Sequence, residues 1–174
     1  MNQYIALHKV AKQALHTLTG LIEKAEAHAN EKGVDVSTLL TASLAPDMFN
    51  FIKQVQVSTD DARRNLCLLA GKEHVKMEDT EMTVAELKSR VAKTLEVIAS
   101  ITEADLEGAD DRKISLFWMG GSYVLGKDFV TEFAIPNLMF HVVTAYDILR
   151  SQGVNLTKMD FITKMTMHKG EATQ

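Results

Sequence analysis

At 174 residues, with 46% hydrophobic and 24% charged side chains, the chain has the length for one domain with its own core and the composition of a globular protein rather than a disordered one. A net charge of -4 without any clustered Lys/Arg run excludes the phosphate-tracking surface that nucleic acid demands. The single cysteine, Cys67, excludes an intrachain disulfide and the Cys/His spacings of structural zinc.

The first helix is predicted from Tyr4 to Lys32. Ile5, Leu7, Val10, Ala11, Leu15, Leu18, Leu21, Ile22 and Ala25 share one face, and Gly33 supplies a stop. His8 and His16, two turns apart on it, share no metal face and are expected to be solvent-exposed. Ser37 reads as the N-cap of a short turn through Leu40. Ala45-Pro46-Asp47 then has the chemistry of a helix start, with proline where no N–H is needed and an acid at the positive end of the dipole.

The second long helix, Asp47 to about Ala70, carries the cleanest period: Met48, Ile52, Val55, Thr59, Ala62, Leu66 and Leu69 step by four and three, as a bundle seam requires. Gln54 and Gln56 flank that seam on opposite sides, and Gln56 has Asp60 one turn further on. Asp60, Asp61, Arg63 and Arg64 read as a solvated charged surface, and Cys67 beside the seam as an inert, half-buried thiol. After Gly71 a polar loop leads to Thr83-Val84-Ala85-Glu86, a capping box. The third long helix follows, burying Val84, Leu87, Val91, Leu95 and Ile98.

Thr102 to Asp105 reads as another capped turn, and Lys113 to Gly126 as a β-hairpin with Gly120-Gly121 at its tip. The last helix is predicted to begin at Asp128 and run to Arg150. It is the most continuously apolar stretch, so its polar residues must find partners or do chemistry. Pro136 is expected to bend it one turn before His141. Asn137 and His141 project from one side, with Thr144 beside them. HxxxH at this spacing is a two-ligand metal face; NxxxH is half of one. The competing role for His141 is structural, holding a backbone carbonyl, with Asn137 tied to the carbonyl freed by the proline. Residues 1–168 make one domain, and 169–174 are expected to fray.

No stretch reaches the ~18–20 apolar residues of a membrane span, and the amphipathic N-terminus does not resemble a leader. The expected setting is therefore cytoplasmic, without a membrane partner. GxSxG, P-loop, GxGxxG and HExxH patterns are absent, which removes the common hydrolase, nucleotide and metalloprotease readings. The apolar surplus on the last helix and hairpin (Phe117, Trp118, Met119, Tyr123) points to a homodimer.

LAPDMFNFIKQVQ, EGADDRKI and IPNLMFHVVTAYDILRSQGV together resemble an uncharacterised bacterial domain-of-unknown-function family within the DinB/YfiT-like superfamily. The resemblance runs from the first helix to about Phe161 and implies an all-α, DinB-like up-down four-helix bundle with a small β-hairpin before the last helix. In that superfamily three histidines hold a divalent metal, one on helix two and an HxxxH pair on the last helix, and some members are thiol-dependent transferases or hydrolases. Here His141 matches the second histidine of the pair, Asn137 the first, and Gln54 or Gln56 the helix-two ligand. Carboxamides suit zinc or nickel poorly, so no cofactor is expected, or a divalent metal only weakly held. The implied function is a small-ligand binder with a pocket near His141 after loss of the metal triad, the pocket candidates being Gln54, Gln56, Asp60, Asn137 and His141. The alternatives are a metal-dependent transferase or hydrolase, with Asp60 or a partner-chain residue rebuilding the site around His141, and a structural or assembly protein.

Overall fold

The apolar periods of the sequence become four long helices in a computed structural model that describes residues 3–163 and 165–167. The expected frayed tail, 169–174, lies outside the described residues. Helix α1 spans Gln3–Lys32, with Leu7, Ala11, Leu15, Leu18, Leu21, Ile22 and Ala25 on its buried face. A short helix α2, Ser37–Leu40, is opened by Asp35, whose carboxylate accepts from the Ser37 N–H at 2.8 Å; Asp35 thus takes the capping role expected of Ser37.

Helix α3 is Phe51–Ala70 and starts four residues later than Asp47. Residues 45–48 close a separate turn (Met48 N–H to Ala45 O, 3.0 Å). Asn50, extended at φ -73 and ψ 173, accepts from Lys53 N–H through its side chain. A side-chain cap satisfies an orphan donor, which Pro46 cannot do. Gly71, at φ 64, ends α3 in the left-handed conformation that glycine adopts most cheaply. Helix α4, Val84–Ala99, begins at the capping box predicted for Thr83 and Glu86.

The four long helices are completed by α6, Ile135–Ser151. In cross-section α1 and α3 occupy one diagonal and α4 and α6 the other, since α1 and α3 each pack on both α4 and α6. Helices α1 and α4 are antiparallel, tied by His8 to Ile98 O and Glu26 to Lys88. Helices α3 and α4 run parallel, because residues 72–82 return along α3 and bond to it through Lys53–Asp79 and Gln56–Glu81. The core is continuous, from Leu15, Leu18 and Ile22 through Val55 and Leu66 to Leu87, Val142 and Leu149.

Between α4 and α6 the predicted hairpin is reduced to β1, Lys113–Ile114, and β2, Val124–Leu125, antiparallel with Lys113 opposite Leu125 and Ile114 opposite Val124. Phe117–Met119 form a tight helical turn instead of strand, leaving Phe117 94% exposed. The strand then enters α5, Gly126–Phe129. A Cβ on Gly126 would collide with the Ala109 carbonyl, so only glycine fits there. Residues Val130–Ala134 form a π-helical turn in which Ile135 N–H reaches back to Val130 O. That widened turn sits where Pro136 crowds the preceding carbonyls and offers no N–H. The π-helical turn, just ahead of Pro136 at the start of α6, is the irregularity found where a bend is expected. The chain returns over α1 through α7, Lys158–Phe161. Among the described residues no helix is long and apolar enough to cross a membrane.

Candidate functional site

Helix α6 places Asn137 and His141 one turn apart toward α3, which meets them with a buried polar stripe at four- and three-residue steps: Gln54, Ser58, Asp61 and Asn65, each 1% exposed or less. His141 Nδ1 lies 2.8 Å from Gln54 Oε1. The Gln54 amide nitrogen donates to Phe49 O at 3.2 Å, so Oε1 is the acceptor and the imidazole proton sits on Nδ1. Nothing among the described residues bonds Nε2, and it is not one of the sealed polar atoms without a partner; its lone pair faces the surface. Burial depresses the His141 pKa below its ordinary value of 6.5, which keeps that lone pair unprotonated at neutral pH. Phe140 packs against the ring edge-on at 5.2 Å.

One turn earlier, Asn137 donates its side-chain N–H to Asp61 Oδ2, and Arg64 pairs with Asp61 Oδ1 at 2.5 Å. Burial pushes the Asp61 pKa up to about 6, against the lowering effects of Arg64 and the Asn137 bond. His141 therefore does hold a carbonyl, but that of the Gln54 side chain rather than the backbone. Asn137 holds a carboxylate rather than the carbonyl near Pro136.

The other two candidates lie on a different face. Gln56 donates to Glu81 Oε2 at 3.0 Å. Asp60 accepts from Arg63 and Arg90 at 2.7 and 2.8 Å. Arg90, 2% exposed, also reaches Asp79 and Glu81, both at 3.0 Å, and Thr59 Oγ1 at 2.7 Å. Asp60 is committed to this cluster between α3, α4 and the returning loop and does not rebuild a site around His141. Nor is the Asp60–Arg64 run a solvated surface: Asp61 is 1% and Arg63 3% exposed. Each acid instead bonds the arginine three residues on, which keeps buried charge paired. Cys67, 3% exposed, is more buried than expected, and burial raises its pKa. His8 is not free in solvent either, since its Nε2 bonds Ile98 O at 2.8 Å; His16 is half-buried.

Asp61, Arg64 and Arg90 were missed as partners by sequence reasoning. The available signal was the 54–58–61–65 polar stripe, which runs parallel to the apolar seam at the same helical period.

The residues present do not fit the superfamily's metal. Of the matching positions only His141 offers an imidazole, while the Gln54 oxygen and the Asn137 amide are each engaged in a side-chain bond. Among the described residues no three or more His, Cys, Asp or Glu side chains are grouped to hold an ion. Nor does His141 line either of two hollows, a 540 Å³ trough between α1, α6 and α7 and a 380 Å³ cleft bordered by Glu78, Glu81 and Arg90.

Residues 4–162 match the family model described as a domain of unknown function, DUF1993. Among solved structures the chain is similar to a DinB family member protein from Shewanella denitrificans, at 38% identity over 98% of this chain and 100% of that one, with a TM-score of 0.90. No curated protein matches.

Proposed function

The chain belongs to DUF1993, a DinB-like domain family of unknown function, and from that premise we propose that it binds a small ligand at the α3–α6 seam beside His141 without a metal triad. The observation that carries this reading is the His141–Gln54 bond. It fixes the Nδ1–H tautomer and presents Nε2 as a neutral acceptor, with the Phe140 ring as an apolar wall. Such an arrangement suits a ligand with one hydroxyl or N–H donor and an apolar body. Nitrogen-detected NMR of the His141 ring, with and without candidate alcohols and amides, tests it. A ligand that moves Nε2 while leaving Nδ1 bonded is the expected result; Nε2 unmoved by every member of a chemically broad panel counts against the reading.

A second copy of the chain is the proposed partner. Phe140 and Val143, 56% and 40% exposed, lie on the outer face of α6 between Glu132 at one end and Asp147 and Arg150 at the other. An apolar centre rimmed by both charge signs is what a self-complementary contact uses. Trp118, 55% exposed, joins the patch through Phe133 at 5.7 Å. The proposed compartment is the reducing cytoplasm, for which the support is that Cys67 is the single cysteine and free.

A further inference from the structure

The far flank of α6, turned away from His141, carries a second feature. A trough of about 540 Å³ runs between α1 and α6 and is bordered by α7. Its apolar lining comes from Val10 and Ala14 on α1, Met139 and Val142 on α6, and Phe161 and Ile162 at the α7 end. Val142 is wholly buried and Ala14 nearly so, so these two close the floor and the accessible apolar walls are Val10, Met139, Phe161 and Ile162. The rim on α1 is Lys9, Lys12 and His16, spaced three and four residues apart and so aligned on one helical face. Among the described residues neither Lys9 nor Lys12 has an ion-pair partner. The acid nearest in sequence to that end of the trough, Asp160, is committed to Lys24 at 3.3 Å. Two lysines without an ion-pair partner among the described residues, on a chain of net charge -4, are a local positive field over an apolar floor.

We propose that this trough is a binding site for an amphipathic carboxylate, with its head at Lys9, Lys12 and a His16 ring N–H and its hydrocarbon body along Val10, Met139 and Ile162. The volume falls within the range of small-molecule sites. Burial of a hydrocarbon chain against that lining supplies affinity, and the lysines set the end at which the head lies. The site is independent of the His141 reading, since the trough's lining includes none of His141, Gln54 and Asn137.

Titration of the whole chain with sodium decanoate, followed through the labelled methionine methyl of Met139, tests the proposal. The expected result is a saturable shift of Met139, at least tenfold weaker binding of uncharged decan-1-ol, and at least tenfold weaker decanoate binding in the Lys9→Glu, Lys12→Glu double variant. Both substitutions are at exposed positions, so the fold survives them. Met139→Trp, which fills the trough and removes the reporting methyl, should abolish the heat of decanoate binding in titration calorimetry, in protein whose circular dichroism is unchanged. Decanoate that leaves Met139 unmoved at millimolar concentration, shifts His141 instead, or binds as tightly to the double variant overturns the proposal, as does decan-1-ol of equal affinity.

Discussion

Gln54 and His141, 87 residues apart in the chain, stand 2.8 Å apart across the α3–α6 interface, with the glutamine oxygen accepting from Nδ1–H. Only the neutral imidazole is favoured there, because burial holds the His141 pKa below 6.5. A folded-state pKa below the unfolded one means the unfolded chain binds the extra proton first. The group's contribution is therefore complete above pH 6.5 and is lost as pH falls from that value toward the depressed one. His141→Gln should flatten the acid side of the stability curve in that window. Urea unfolding at several pH values between 7.5 and 5 checks this; an unchanged slope contradicts it.

Asp61 has the opposite sign. Its pKa rises from 3.8 to about 6 on folding, so the folded state holds the proton more tightly and the group's contribution falls as pH climbs from about 4 to 6. Above pH 6 the buried carboxylate costs the fold up to ~3 kcal/mol by that shift. Asp61→Asn keeps an oxygen for Asn137 and removes the charge, while Arg64, 26% exposed on its side chain, can hydrate. The variant should gain about 1–3 kcal/mol at pH 7 and nothing at pH 4. A loss of stability at pH 7 shows that the Arg64 pair outweighs desolvation.

Metal binding follows from the ligand count. Protein purified without chelator should hold well under one equivalent of zinc, nickel or manganese, because amide oxygens bind borderline metals weakly. Asn137→His rebuilds HxxxH, and adding Gln54→His brings a third imidazole to the same seam. The double variant should bind zinc at one equivalent, measured by mass spectrometry of the metal. Stoichiometric metal in the unaltered protein, lost on His141→Ala, would move the enzyme reading to the front.

Arg90 is the charge on which the returning loop depends. Its guanidinium is held by Asp60, Asp79 and Glu81, so Arg90→Ala leaves these carboxylates facing one another in a partly buried place. Breaking such a cluster should cost about 3–5 kcal/mol, and hydrogen exchange should accelerate first in residues 72–82. Uniform loss of protection along α3 and α4 together would show that the arginine supports the bundle rather than the loop.

Self-association is measured by sedimentation. Micromolar protein should exceed the 19.3 kDa monomer, and Phe140→Asp should return it to that mass by placing charge at the centre of the apolar patch. A monomer at every concentration leaves Phe140 and Trp118 without the partner proposed for them.

The sequence by itself determined what depends on neighbours along the chain. The four apolar periods, the Thr83–Glu86 capping box, the Gly71 stop and the paired turn glycines at 120 and 121 rest on local geometry, and each is present. The family motifs lay in the same stretches and carried the all-α bundle with its hairpin. What tertiary structure decided is which face of α3 meets which helix. Asp60 and Asp61 are adjacent in sequence but point about 100° apart around the helix; one meets Arg90 of α4 and the other Asn137 of α6. Gln54 and Gln56 divide in the same way, toward His141 and toward Glu81. A helical period specifies the spacing of such residues, but their partners come from other helices and the returning loop, 25 to 87 positions away. The start of α3 at Phe51 combines both levels, because the Asn50 side chain caps the helix locally and Phe51 N–H bonds Ala42 O nine residues back, while the complete burial of Phe51 in the core overrides the local preference of Pro46 and Asp47.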